Sequence, residues 1–507
     1  MLTTEPIHNL KLEAYEVEDI SLELSLKNYL LFSTIDDEVC ALMCERYLAQ
    51  ASNFYTKLKH KYPVYILNED SYDRLYNSFL ELRTDKAITT MEEDSSKEED
   101  DEDISLTDFL RISSDILTSE ESAPIIKFVN AMFYQAVKKR ASDIHIEMQE
   151  KRGEVRFRID GVISKNADLD KKVVSLIVSR IKVISNLDIS EKRIPQDGRT
   201  QIKIAGETLD IRVSILPTFY GERVVMRLLM QSSQIPKMDE LGFDNRLIVK
   251  IQKLLKVSHG IILVTGPTGS GKTTSLHSFL KEVQSREKNL ITVEDPVEYK
   301  SDNIAQIQVN EKIGLTFAAA LRSILRQDPD TIMIGEIRDE ETASIAIRAA
   351  LTGHLVFSTL HTNSAAATVL RLVDMGIEPF LISSSLLGIL AQRLVRILCD
   401  DCKQEDKIDE NLSKAYNIPI DAKIYKANEC KICNYSGYVG RKSIGELLVM
   451  TDDVKNILKN TTDEHVIKIE LEKSGFKTIS SQLLQVLING ETSLNEAIRI
   501  GLEHVER

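Results

Sequence analysis

The spacing of apolar residues changes character along the chain, and each change predicts a different kind of element. From Val39 to Leu58 the apolar positions are helically spaced, and a Tyr-rich stretch runs from Tyr62 to Tyr76. Together they predict a small N-terminal domain over 1–90 with no catalytic motif. Cys40 and Cys44, four apart, would share one helix face there and pack rather than bind metal. Further on, Val155, Phe157 and Ile159 alternate with Glu154, Arg156 and Arg158, and Asp160-Gly161 follows as a turn signal. That pattern predicts an antiparallel hairpin. Val173, Val174, Ile177, Val178, Ile181, Ile184 and Leu187 recur instead at helical spacing and would cover one sheet face. Residues 107–235 are therefore expected to form a second, α+β domain. Beyond about Leu241 the pattern becomes short, wholly apolar strands alternating with helices: Ile261–Val264, Leu290–Val293, Ile332–Ile334 and Leu355–Phe357. Strands apolar on both faces belong in a buried parallel sheet, so 236–507 is expected to be an α/β domain. Open sheets of this class bind ligands at the carboxyl ends of their strands.

Length and charge refine this picture. A chain of 507 residues exceeds the roughly 250 to 300 residues at which single cores stop growing. Residues 92–103, EEDSSKEEDDED, carry nine acids against one lysine, which predicts a solvated linker over 91–106. The balance of 64 Lys+Arg against 78 Asp+Glu gives a net charge of -14. That acidity, with zero Trp, argues against direct nucleic-acid binding, which needs phosphate attraction and stacking platforms. The first residues lack a basic segment followed by an apolar one, and no run approaches the ~20 apolar residues of a membrane span. A cytoplasmic protein is expected. Six cysteines, four of them in CxxC pairs, fit a reducing compartment.

The densest chemistry begins after Ile261–Val264. Gly266, Pro267, Thr268, Gly269, Ser270, Gly271, Lys272 and Thr273 spell GPTGSGKT, with Thr274 opening an apolar helix. Strand, glycine-rich loop and helix in that order form a phosphate-binding loop: backbone amides and the helix N-terminus meet the phosphates, Lys272 reaches the terminal ones, and Thr273 ligates magnesium. ATP and Mg2+ are the expected cofactors. Phosphoryl transfer also needs an oriented water and positive charge. Glu336, at the end of the apolar run Ile332–Ile334, is the leading candidate to polarise water, and Lys272 completes the catalytic pair. Glu294-Asp295 ends the preceding strand, leaving open which acid assists. His354 and His361 flank the next strand region, and His361 is the stronger candidate for sensing the terminal phosphate.

Cys399, Cys402, Cys430 and Cys433 form CxxC, 27 intervening residues and CxxC. Four such thiolates can surround one tetrahedral zinc, leaving no open position for catalysis. The element 399–433 should then be a structural, partner-contacting knob.

Taken together these motifs resemble the secretion ATPase superfamily of the GspE/PilB type, which powers type II secretion and type IV pilus assembly. The resemblance rests on RASDIHIE at Arg140 to Glu147, RFRIDG at Arg156 to Gly161, RIPQDGR at Arg193 to Arg199, the phosphate-binding loop, TVEDPVEY, LRQDPDTIMIGEIRDEETA, HLVFSTLHTN and QRLVRILCDDC. It implies a RecA-like ATPase core preceded by a PAS-like α+β domain, and a homo-hexamer that drives an inner-membrane platform protein. It also implies a cytoplasmic docking partner and a peripheral place at the cytoplasmic face of the inner membrane. Arginines from both domains approach the phosphates in that family, and the matching positions are Arg212, Arg227, Arg326 and Arg338. The Gly335-Glu336 pair and the four-cysteine element also look normal for its assembly and secretion branch. Two other classes remain in play: a nucleic-acid translocase, disfavoured by charge and composition, and a non-hydrolysing nucleotide-binding subunit, disfavoured by the intact Lys272, Thr273 and Glu336.

Overall fold

A computed structural model describes residues 15, 17, 20, 22–35, 38–68, 71–72, 75–76, 79, 123–204, 207–230, 235–461 and 463–504. The expected acidic linker at 91–106 lies outside them. The chain divides into two compact units, Met1–Ser232 and Ser233–Arg507.

At the start of the first unit, β1 (Leu31–Ile35), β2 (Glu38–Cys44) and β3 (Val64–Leu67) form a sheet in the order β1-β2-β3. This corrects part of the helical reading of 39–58, since only Leu48–Thr56 is α-helical. The run from Cys40 to Cys44 is wholly buried, and a short apolar run buried on both faces lacks the alternation that separates strand from helix. Cys40 and Cys44 accordingly lie on a strand, packed in one apolar core with Phe32, Tyr72 and Phe79. The tyrosines stack there, Tyr29 on Tyr47 with ring centres 4.0 Å apart.

The same unit contains β4 (Ala141–Met148), β5 (Arg152–Ile159), β6 (Val162–Asp170), β7 (Gln196–Ile204), β8 (Glu207–Thr218) and β9 (Gly221–Met230). They form an antiparallel sheet in the order β6-β5-β4-β9-β8-β7. The β5–β6 hairpin turns at Asp160 and Gly161, with φ of 48° and 80°, the positive values a two-residue turn of this hand requires. Helices Ala123–Lys138 and Lys171–Ile184 bury Phe128, Met132, Val174 and Ile177 in one core with Ile144, Ile146, Val155 and Phe157. The second helix starts where Asp170 caps Lys172 N and ends before Leu187, which packs on the core from beyond it.

In the second unit, β10 (Gly260–Thr265), β11 (Leu290–Glu294), β12 (Ala305–Gln308), β13 (Thr331–Ile334), β14 (Leu355–Leu360), β15 (Leu386–Leu398) and β18 (Tyr438–Val449) make one sheet in the order β12-β11-β13-β14-β10-β15-β18. β16 (Gln404–Asp406) and β17 (Ile424–Lys426) form a separate pair. All neighbours in the large sheet are parallel except β15 and β18. Successive residues enter cores on opposite faces: Ile261 and Leu263 on one side, Ile262 and Val264 on the other. Continuous apolar strands are the consequence of that two-sided burial. Within β18, Glu446 is buried and accepts from Ala365 N at 2.7 Å and Ile479 N at 3.0 Å. One carboxylate thus serves the amino ends of two helices, Ala365–Asp374 and Ile479–Ile488, satisfying donors that a helix cannot satisfy itself.

Candidate active site

The loop between β10 and helix Lys272–Val283 is shaped by close approach. Gly266, Gly269 and Gly271 hold φ of 148°, 79° and 86°, a region that favours glycine. A Cβ on Gly266 would stand 2.5 Å from Gln392 O and 2.6 Å from Ser270 Oγ. Pro267, Thr268 and Thr274 complete the loop and the first helical turn, and Thr273 stands half-buried beside Lys272. Lys272 is buried and donates to Gly266 O at 2.7 Å and Pro267 O at 3.2 Å. Burial lowers its pKa to about 8, with Glu336 opposing that shift and Arg393 adding to it. The buried Ser270 Oγ has no partner among the described residues. A cradle that a side chain would close, with an unpaired hydroxyl and a lysine turned onto the loop's own carbonyls, fits a bound phosphate.

Glu336 and His361 meet at the carboxyl edge of the sheet. Glu336 follows β13, His361 follows β14, and His361 Nε2 lies 3.2 Å from Glu336 Oε2. Arg338 pairs with the other carboxylate oxygen, and that bond raises the arginine pKa. The preceding Gly335 is tightly held: a Cβ there would lie 3.3 Å from Val293 O. His354 sits at the opposite end of β14, where its Nδ1 lies 2.9 Å from Ala349 O, away from this group. Arg326, in the turn that follows helix Phe317–Ile324, donates to Arg322 O and Ser323 Oγ of that helix.

Glu294, at the end of β11, is 2% exposed and engaged by neighbours. Thr292 Oγ1 and Gln306 Nε2 donate to its Oε1 at 2.7 and 3.1 Å, and His277 Nε2 lies 3.1 Å from its Oε2. Gln392 opens the QRLVRILCDDC motif, but nothing in that run marks it as a site residue, since it stands as one polar position in the apolar strand β15. It is buried, accepts from Ser275 Oγ at 2.8 Å, and packs its backbone oxygen under Gly266.

Arg212 and Arg227 belong to the first unit, in a row that crosses its sheet. Arg199, Arg212, Arg227, Asp143 and Arg158 stand opposite one another on β7, β8, β9, β4 and β5. Asp143 offsets part of that charge, receiving Arg227 Nε at 3.1 Å and lying 3.7 Å from Arg158 Nε.

The cysteines converge between β15 and β18. Sγ atoms of Cys399, Cys402, Cys430 and Cys433 all lie within 4.8 Å of one another. Cys399–Cys430 and Cys402–Cys433 are each 3.8 Å apart, and sulfurs around a tetrahedral zinc at ~2.3 Å stand about 3.8 Å apart. Gly437 N donates to Cys433 Sγ at 3.2 Å, the outer-shell support that ligating sulfurs receive.

A family model described as "Type II/IV secretion system protein" matches residues 118–499. The chain belongs to that family. It is 46% identical over 448 residues to the "Type II secretion system ATPase E" of Vibrio cholerae serotype O1, covering 88% of both proteins. It is 46% identical over 441 residues to the "Type II secretion system protein E" of Aeromonas hydrophila, covering 86% of this chain and 87% of that one. The X-ray structure of the Legionella pneumophila ATPase DotB shares the fold, with a TM-score of 0.54 and 22% identity over 73% of this chain and 94% of that one. The chain is a secretion ATPase of the GspE type, which uses ATP and Mg2+, and its four-cysteine cluster is compatible with zinc. No helix among the described residues is long and apolar enough to cross a membrane.

Proposed function

We propose that this secretion ATPase works as a homo-hexamer that hydrolyses ATP to drive assembly of a pseudopilus or pilus through an inner-membrane platform protein. The observation that carries the catalytic part is the convergence of Glu336, Arg338 and His361 at the sheet edge, with the charge of Glu336 acting on Lys272. Lys272 and the loop from Gly266 to Thr274 bind the phosphates, and Thr273 holds Mg2+, which supplies charge neutralisation to the departing phosphate. Glu336 orients the attacking water, held in place by Arg338 and His361. Glu294 serves indirectly, since its carboxylate is occupied by protein donors. Arg212 and Arg227 bring positive charge to the nucleotide of a neighbouring subunit.

Residues 1–90 dock to a cytoplasmic partner of the apparatus, 91–106 act as a linker, and 107–235 and 236–507 are the moving domains of the motor. Zinc on the four cysteines holds the element 399–433. The motor acts at the cytoplasmic face of the inner membrane through its partners, without contacting nucleic acid. ATP hydrolysis, measured with and without the platform protein's cytoplasmic domain and alongside light scattering, tests the reading. A hexamer whose turnover rises with the platform domain and vanishes in Lys272→Ala is expected. A folded, nucleotide-binding protein inactive in both conditions would overturn it.

A further inference from the structure

His277 has no place in the phosphate chemistry described above, yet it is 1% exposed and lies on the helix that the phosphate-binding loop opens. Its Nε2 is 3.1 Å from Glu294 Oε2. Among the described residues this is the only donor to that oxygen, because Thr292 and Gln306 both serve Oε1. A carboxylate so deeply buried is costly unless its oxygens are hydrogen-bonded. His277 therefore serves the carboxylate oxygen that Thr292 and Gln306 leave.

The contact also belongs to a closed circuit. The His277 ring packs against Tyr299, with centres 5.0 Å apart. Tyr299 Oη is 3.1 Å from Thr274 Oγ1, next to the residue expected to hold magnesium. Gln306 Nε2, which reaches Glu294, also donates to Tyr299 O at 2.8 Å. The circuit joins the first turns of the phosphate-loop helix to the end of β11. Asp295 follows directly, exposed at the carboxyl edge, and its charge acts on Arg338, the partner of Glu336.

We propose that His277 is a positioning residue of the ATPase site: by holding Glu294 it fixes the end of β11, and with it the electrostatic setting of Arg338 and Glu336 relative to the phosphate-binding loop. It touches no substrate, so its removal should impair turnover more than nucleotide binding. Partners of this kind typically matter by about 10- to 100-fold. His277→Phe keeps a ring but no donor. His277→Gln can return a donor near the Nε2 position, whereas His277→Asn is too short to reach it.

Steady-state ATP hydrolysis is measured for the three variants and the parent, with melting temperatures in parallel. The expected result for His277→Phe is a kcat lowered about 10- to 100-fold with KM for ATP within about threefold. His277→Gln should recover to within about threefold of the parent, and His277→Asn should stay low. Three results would overturn the proposal: parental kcat in folded His277→Phe, a loss confined to KM, or a His277→Gln as impaired as His277→Phe with an equal drop in melting temperature. Should His277→Phe fail to fold, the comparison of Gln with Asn decides, and equal activity of those two rejects the role.

Discussion

At Glu336 the carboxylate has one oxygen on Arg338 and the other near His361, so its position is set before any water arrives. Glu336→Gln keeps the shape and removes the charge. Turnover should fall by at least about 100-fold while ATP binding stays within a few-fold, checked by steady-state hydrolysis beside equilibrium binding. Residual hydrolysis near the parental rate would move the base elsewhere. Lys272 gives a pH signature. Its pKa is lowered to about 8 by burial, so the free site loses this positive charge as pH rises through that value. Bound phosphates favour the charged form and raise the pKa again. Binding therefore takes up a proton above about pH 8, and affinity should weaken there by up to about tenfold per pH unit. Titration calorimetry with a non-hydrolysable ATP analogue, in buffers of different ionisation enthalpy, reads that proton directly. Lys272→Arg, which does not titrate in this range, should flatten the dependence. The loop, Glu336 and His361 were readable in the sequence because each follows an apolar strand. Glu294 was readable as a strand-end acid, but its engagement was not, since Gln306 and His277 reach it from two other elements.

Between β15 and β18 the cysteine element has little apolar core of its own, and its sulfurs already stand at zinc spacing. Ligand binding of this sort contributes folding free energy directly. About one zinc per chain is expected by elemental analysis. Its removal by a chelator, or Cys433→Ser, should open 399–437 to limited proteolysis while leaving ATP binding at the remote loop intact. Zinc-free protein with the parental cleavage pattern would argue against this. The CxxC spacing was visible in the chain, yet only the antiparallel β15–β18 ladder explains how 27 intervening residues still bring the pairs together. The N-terminal strand β2 was misread for the opposite reason. Its side chains are buried on both faces, so no polar partner marks the period.

Across the whole molecule, the row from Arg199 through Arg212 and Arg227 carries the proposal that one subunit's arginines act on its neighbour. If these arginines serve a neighbour's nucleotide, two inactive variants should complement each other in one ring. Mixing Lys272→Ala with Arg227→Ala before assembly should restore part of the hydrolysis absent from either alone, since some interfaces then combine an intact loop with an intact arginine. No recovery in verified mixed hexamers would place Arg227 within its own subunit's chemistry.

Local chemistry was settled by the sequence itself: apolar strands, the glycine-rich loop, the hairpin turn at Asp160-Gly161 and the paired cysteines are short-range patterns whose physics needs only a few neighbours. Tertiary structure decided what depends on distant segments meeting. It set Gln392 beneath Gly266, His277 against Glu294, and Glu446 between two helix ends. Each is a buried polar group whose partner lies far along the chain or on another element, and burial, which makes the partner obligatory, exists only once the sheet has folded.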